Sequence, residues 1–368
     1  SSEEKHDLKK YYEVQKEELD LLKFVPASGA ATRMFKDLYT FLEEFRPEEQ
    51  NLDTYLDSKE HQNLVHFINR IGNLPFFEQV KDLIPHYDNL SKDEQHYEFV
   101  KKMLGQDGLN LGDYPKGLVP FHKYADHVAT AFEEHLKEAA DYAATRGTAR
   151  LHFTIAREHQ QKFEEELQRV KPRLEEETGL KYEVSYSFQD PKTDTLAVDL
   201  KNEPFRDEKG ELFFRPGGHG SLLKNLNDQQ ADVIFIKNID NVVTPRNRQL
   251  LAEHKEILAG KLLQLQEKSF AFLQLLDKEQ VPEEVLEQII SFAESDLNIG
   301  MSSEFSALPT SEKIASIKKQ LDRPIRVCGM VKNEGEPGGG PFWVNHKTGE
   351  SSLQIVESAQ IDNDNYQQ

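Results

Sequence analysis

The sequence predicts an α/β protein with a Rossmann-like, mainly parallel mixed sheet and large helical insertions. Two observations carry this. Between residues 150 and 237, short apolar runs that read as strands alternate with charged segments of helical period. Strands alternating with helices imply a largely parallel sheet covered by helices. The earlier apolar run Leu21-Leu22-Lys23-Phe24-Val25-Pro26 feeds a loop of small residues and then a helix start, the opening of an α/β unit.

Residues 1–20 are polar and helix-prone and lead into that run. Residues 35–105 read as mostly helical, rich in Phe, Leu and charge, and are punctuated at Asn73-Leu74-Pro75 and Ile84-Pro85-His86. A loop over 108–117 continues into Leu118-Val119-Pro120-Phe121, and a helix is expected over about 124–145. Leu151-His152-Phe153-Thr154-Ile155 is a strand candidate, 157–176 a charged amphipathic helix, and 182–188 alternates with the period of a strand. Asp232-Val233-Ile234-Phe235-Ile236 is nearly all apolar, as in a strand buried on both faces, and is expected with 21–25 among the central strands. Residues 246–322 turn helical with no strand signal, and 324–331 return to strand character. The expected divisions are a helical segment over 1–20, a core over 21–245 with a helical insertion at 37–105, a helical excursion over 246–322, and a return to the core sheet over 323–368, incomplete at its C-terminal end.

A chain of 368 residues holds one large α/β domain with excursions, or two domains. The net charge of −20 argues against a nucleic-acid surface, which needs a basic stripe, but leaves room for a small phosphorylated substrate in a local cationic pocket. The single cysteine, Cys328, excludes an internal disulfide and a cysteine-based metal site, and fits a reducing cytoplasm. There is no apolar run long enough to span a bilayer, so no membrane partner is expected.

In open α/β sheets ligands sit where a strand's carboxyl end feeds a helix N-terminus. The segment from Pro26 to Arg33 is such a loop. Its small residues Ala27, Ser28, Gly29, Ala30 and Ala31 let backbone N–H groups approach phosphate oxygens. Thr32 offers a hydroxyl, and Arg33 can grip a phosphate bidentately. An ordinary strand-to-helix turn explains the loop equally well when it is taken alone.

Gly29-Ala30-Ala31-Thr32-Arg33-Met34 resembles the G-x-G-T-R signature of sugar-phosphate nucleotidylyltransferases, departing from it at Ala31, whose Cβ could push the phosphates outward. Three further segments follow in the family's order. Pro115-Lys116-Gly117 is similar to its P-K segment, whose Lys lies near the transferred phosphates. Arg215-Pro216-Gly217-Gly218-His219-Gly220-Ser221 looks like the P-P-G-H-G-D segment of UDP-glucose and UDP-sugar pyrophosphorylases, with Ser221 in place of the Asp. Asn238-Ile239-Asp240-Asn241-Val242, after the 232–236 run, resembles N-x-D-N-L. Weaker likenesses are Phe188-Gln189 to F-x-Q, and 353–361 with Glu357 to L-L-E-I-A-Q-V. Each segment alone also reads as a turn, a cap or a surface feature.

The resemblance implies a nucleotide-diphospho-sugar transferase (GT-A) type of sheet and a cytoplasmic nucleotidyltransferase that joins a nucleoside triphosphate to a sugar 1-phosphate. It implies Arg33 and Lys116 as catalytic cations, and Mg²⁺ on Asp240. Residues 27–32, Gln189, Gly217, Gly218 and His219 would hold the nucleotide, and Asn241 and Glu357 the sugar side. Two other readings stay open. One is a catalytically silent nucleotide- or sugar-binding protein on the same fold, toward which Ala31 and Ser221 lean. The other is a glycosyltransferase, which would normally carry D-x-D at a strand end. That spacing occurs here only at Asp362-Asn363-Asp364, while the strand end reads Asn238-Ile239-Asp240.

Overall fold

The structure is a computed structural model that describes residues 1–29, 31, 34–57, 62–332, 338–347, 349–362 and 365, without the side chains of His219 and Ala359. The chain divides into two compact units, Gln15–Ala252 and Ser1–Val14 with Glu253–Gln368. It begins with helix α1 (Ser2–Gln15).

In the larger unit, β1 (Leu21–Pro26) has its first five residues buried, Lys23 included. The block after it is helical as expected: α2 (Lys36–Glu44), α3 (Leu52–Leu56), α4 (Gln62–Ile68), α5 (Phe77–Asp82) and α6 (Lys92–Leu104). Proline interrupts it at the expected places, Pro75 between α4 and α5 and Pro85 between α5 and α6. A capping box starts α6: the Ser91 hydroxyl accepts from Glu94 N, and the Glu94 carboxylate accepts from Ser91 N. These helices bury a core of their own around Phe41, Phe45, Phe99 and Met103.

The helix expected over 124–145 is shorter. A hairpin of β2 (Pro120–Lys123) and β3 (Val128–Thr130) precedes α7 (Ala131–Tyr142). The Thr130 side chain accepts from Glu133 N and fixes that start. There follow β4 (Ala144–Thr145), β5 (Thr148–Thr154), α8 (Gln160–Thr178) and β6 (Lys181–Ser187). A short antiparallel excursion carries β7 (Thr195–Leu196) and β8 (Phe214–Arg215), and then come α9 (Leu223–Asn227) and β9 (Val233–Ile236).

β1, β4, β5, β6 and β9 form a mixed five-stranded sheet. β1 pairs in parallel with β5 on one side and β9 on the other, β6 pairs in parallel with β5, and β4 joins β5 antiparallel. β1 is therefore central, as expected. β9 is not: among the described residues it pairs with β1 alone. Its burial alternates, and Ile236 is 50% exposed, so its apolar run lies at a sheet margin with one face partly open.

The other unit takes α10 (Pro245–Leu276) from Glu253 onward, then α11 (Glu283–Ser295) and α12 (Thr310–Leu321), packed around Ile289, Phe292 and Ile317. Among the described residues, 323–368 adds no strand to the core sheet. β10 (Ile299–Gly300), β11 (Gly339–Asn345) and β12 (Ser351–Glu357) make a separate antiparallel sheet in the order β10–β12–β11. β10, two residues long, carries no strand signal in the sequence. The strand expected at 324–331 is absent: the segment pairs with no strand, and Val331 is 91% exposed.

Candidate functional site

The parallel register brings the carboxyl ends of β1, β5, β6 and β9 to one edge of the sheet. The loop after β1 leaves over β5, with Ala27 N donating to Thr154 O at 2.8 Å. The 114–116 segment lies alongside it. Ala31 N donates to Tyr114 O at 3.1 Å, and Lys116 N donates to Gly29 O at 3.2 Å. From the other side, Ile239 N donates to Pro26 O at 3.3 Å. The Lys116 Nζ then reaches Asp240 Oδ2 at 2.7 Å, with both side chains partly open to solvent. Three segments singled out by motif thus meet at one place. Ala30, Thr32 and Arg33 lie outside the described residues.

Gly117 permits this meeting. A Cβ there would stand 2.9 Å from the Phe163 ring and 3.1 Å from the Ile239 side chain, so only glycine fits without displacement. Gly29 is different: a Cβ added there meets nothing within 4 Å among the described residues. Ala31 is fully buried, and its methyl packs into the core of the helical block.

Gln189, Gly217 and Gly218 gather at the end of β6, two strands from β1. Gln189 Nε2 donates to Asp194 at 3.1 Å. A Cβ on Gly217 would stand 2.9 Å from Thr193 O, whereas Gly218 has open space. Ser221, where the resemblance has an acid, donates its hydroxyl to Gly218 O at 2.6 Å and holds the turn. Asn225 Nδ2 donates to Ser187 Oγ and Phe188 O, tying this segment to β6. Arg157, past the end of β5, lies over the Phe188 ring at 4.2 Å. The His219 side chain, Asn363 and Asp364 are outside what is described.

Asn241 is exposed, its N–H donating to Asn238 O in a turn. Glu357 ends β12 in the other unit, where it forms a capping box with Gln360. Among the described residues no group of three or more His, Cys, Asp or Glu gathers as a metal cage. Asp240 belongs to no such group; Mg²⁺ is often bound by one or two carboxylates together with substrate phosphates and water.

The sequence reading missed a buried charge network behind Asp240. Lys23 Nζ donates to Glu138 at 3.0 Å and to His135 O at 3.0 Å. Lys237 Nζ donates to both Glu138 oxygens at 2.8 Å. All four residues are buried. Register explains the pairing: Lys23 lies beside Phe235, so Lys237, two residues on, shares its face of the sheet, against which α7 packs. Burial alone would push the Glu138 carboxyl up, but Lys23 and Lys237 outweigh it and hold the pKa at about 2. Burial, aided by Lys23, pushes His135 well below its usual range, so its ring is neutral. The signal in the sequence is a Lys inside one apolar run, Lys23, and another directly after a second, Lys237, but it does not name Glu138 as the partner.

A family model described as a domain of unknown function, DUF4301, matches residues 1–368. The chain belongs to the DUF4301 family. No curated protein and no solved structure matches this DUF4301 chain. No helix among its described residues is long and apolar enough to cross a membrane.

Proposed function

We propose that the protein is a nucleotidyltransferase that joins a nucleoside triphosphate to a sugar 1-phosphate, on a Rossmann-like sheet of the nucleotide-diphospho-sugar transferase type. The observation that carries the reading is the 2.7 Å approach of Lys116 to Asp240 beside the small-residue loop after β1. A basic and an acidic group far apart in sequence meet where an α/β sheet takes its ligands. The strand order β6–β5–β1–β9, with the loop after the central strand and the acid after its neighbour, supports it further.

In this reading the loop backbone and Arg33 receive the triphosphate. Lys116 turns from Asp240 to the phosphates and offsets charge as it moves onto the leaving group. An oxygen of the sugar 1-phosphate attacks the α-phosphorus, the bond from that phosphorus to the β-phosphate oxygen breaks, and pyrophosphate leaves. No covalent intermediate with the protein is needed, and catalysis is positioning and electrostatics. Asp240 would hold Mg²⁺, which would supply positive charge to offset that of the phosphates. Gln189 and the 217–219 turn would hold the nucleoside, and Asn241 the sugar side. The test is release of pyrophosphate from panels of both substrates with Mg²⁺. A protein that only binds nucleotides would show affinity without release.

A further inference from the structure

Asp240 follows a strand at the sheet margin, and its ion pair with Lys116 is partly solvent-exposed. Exposed pairs fix geometry weakly. The chain leading to Asp240 is instead held from the buried side. His135 Nε2 lies 3.1 Å from Ile239 O, and because a carbonyl only accepts, the ring carries its hydrogen on Nε2. Glu138 holds Lys237 through both carboxylate oxygens and is itself held by Lys23 of the central strand. His135 and Glu138 are three residues apart on α7 and so share one face. Residues 237 and 239 are thus tied to a single rigid helix face, and Asp240 is the next residue. Helix-on-sheet packing does not by itself call for charge at such a place, since apolar residues in place of buried ion pairs are often neutral or stabilising.

We infer that His135 and Glu138 are positioning residues for Asp240: through Ile239 O and Lys237 they set where its carboxylate stands relative to Lys116 and the loop after β1. This rests on the reading of Asp240 as the acid of a nucleotidyl transfer. A displacement of about 1 Å at such a group costs on the order of 100-fold in rate.

The test is a double-mutant cycle on the full chain. His135→Leu removes the bond to Ile239 and keeps an apolar side chain in place. It is expected to lower kcat by about 10- to 100-fold while changing KM for the triphosphate little. His135→Gln, whose amide can still donate to Ile239, is expected to recover most of the rate. In an Asp240→Glu background, which keeps a displaced carboxylate and part of the rate, His135→Leu is expected to cost far less than in the wild type. Additive losses, or a loss confined to KM, overturn the inference and leave the proposed reaction standing. Should His135→Leu not fold, Lys237→Met carries the same cycle. If the unaltered protein releases no pyrophosphate, the reaction is withdrawn. The inference is then decided by crystal structures of the wild type and His135→Leu: an Asp240 carboxylate displaced from Lys116 in the variant supports positioning, and one left in place overturns it.

Discussion

The ammonium of Lys116 lies 2.7 Å from the carboxylate of Asp240, although 124 positions separate them in the chain. The contact closes a ring of segments at the end of the central strand. The loop after β1 bonds to 114–116 on one side and to Ile239 on the other, and the two side chains join across it. Because the pair is partly exposed, its worth lies in placement rather than in stability.

Asp240→Asn is therefore expected to change the unfolding free energy by less than about 1 kcal/mol and to abolish Mg²⁺-dependent turnover. Lys116→Ala is expected to behave alike in stability and to lower the rate severely. Denaturant melts and pyrophosphate assays on both variants check this. Full activity in Asp240→Asn would remove its metal role.

Arg33 separates catalysis from binding. Arg33→Ala is expected to lower the rate by about 10²–10³ while weakening nucleotide affinity much less, because in the proposed transfer its charge would act on the leaving group. Arg33→Lys should restore only part, since it keeps the charge and loses the planar grip. Equal losses in rate and affinity would instead mark a residue that only binds.

Two glycines are expected to part ways. Gly117→Ala would press on Phe163 and Ile239, and a cost of about 1–3 kcal/mol is expected, as for other overpacked sites. Gly29→Ala meets open space and should leave stability unchanged, yet weaken nucleotide binding by keeping phosphates from the backbone. Unchanged nucleotide affinity in a well-folded Gly29→Ala would count against the loop as the phosphate site.

Much of the fold was legible in the sequence. The strand at 21–26, the helical block with its proline breaks and the β5–α8–β6 alternation all follow from period and punctuation. The β9 run misled because four apolar residues in a row do not say whether a second neighbour covers them. The 324–331 segment misled for a related reason: apolar composition does not supply a pairing strand. In the site, motifs located Lys116, Asp240 and the loop. Glu138 stayed hidden among the charges of a helix reading Glu133-Glu134-His135-Leu136-Lys137-Glu138, because only the three-dimensional fold decides which of them face the sheet.

Burial sets the pH response. His152 is buried, with Ser185 and Ser187 on its two ring nitrogens, and burial lowers its pKa from 6.5 to about 4. As pH falls below 6.5 the unfolded chain takes up this proton and the folded chain does not, so stability falls until about pH 4. Between pH 7 and pH 5 the loss from this group is about 2 kcal/mol. Glu138 works lower: its stabilisation is complete above about pH 4.5 and is lost as pH falls toward 2. Urea unfolding of the wild type and His152→Gln at pH 7 and pH 5 checks the first effect, and the variant should show the smaller drop. Equal drops would place the titration elsewhere.

The central claim is that the edge holding Lys116 and Asp240 transfers a nucleotidyl group. The most direct measurement is pyrophosphate release from the purified full chain, with the common nucleoside triphosphates each paired with a panel of sugar 1-phosphates, with and without Mg²⁺. The expected result is Mg²⁺-dependent release for at least one pair, requiring both substrates and lost in Asp240→Asn. No release from any pair, or release unchanged in Asp240→Asn, would contradict it.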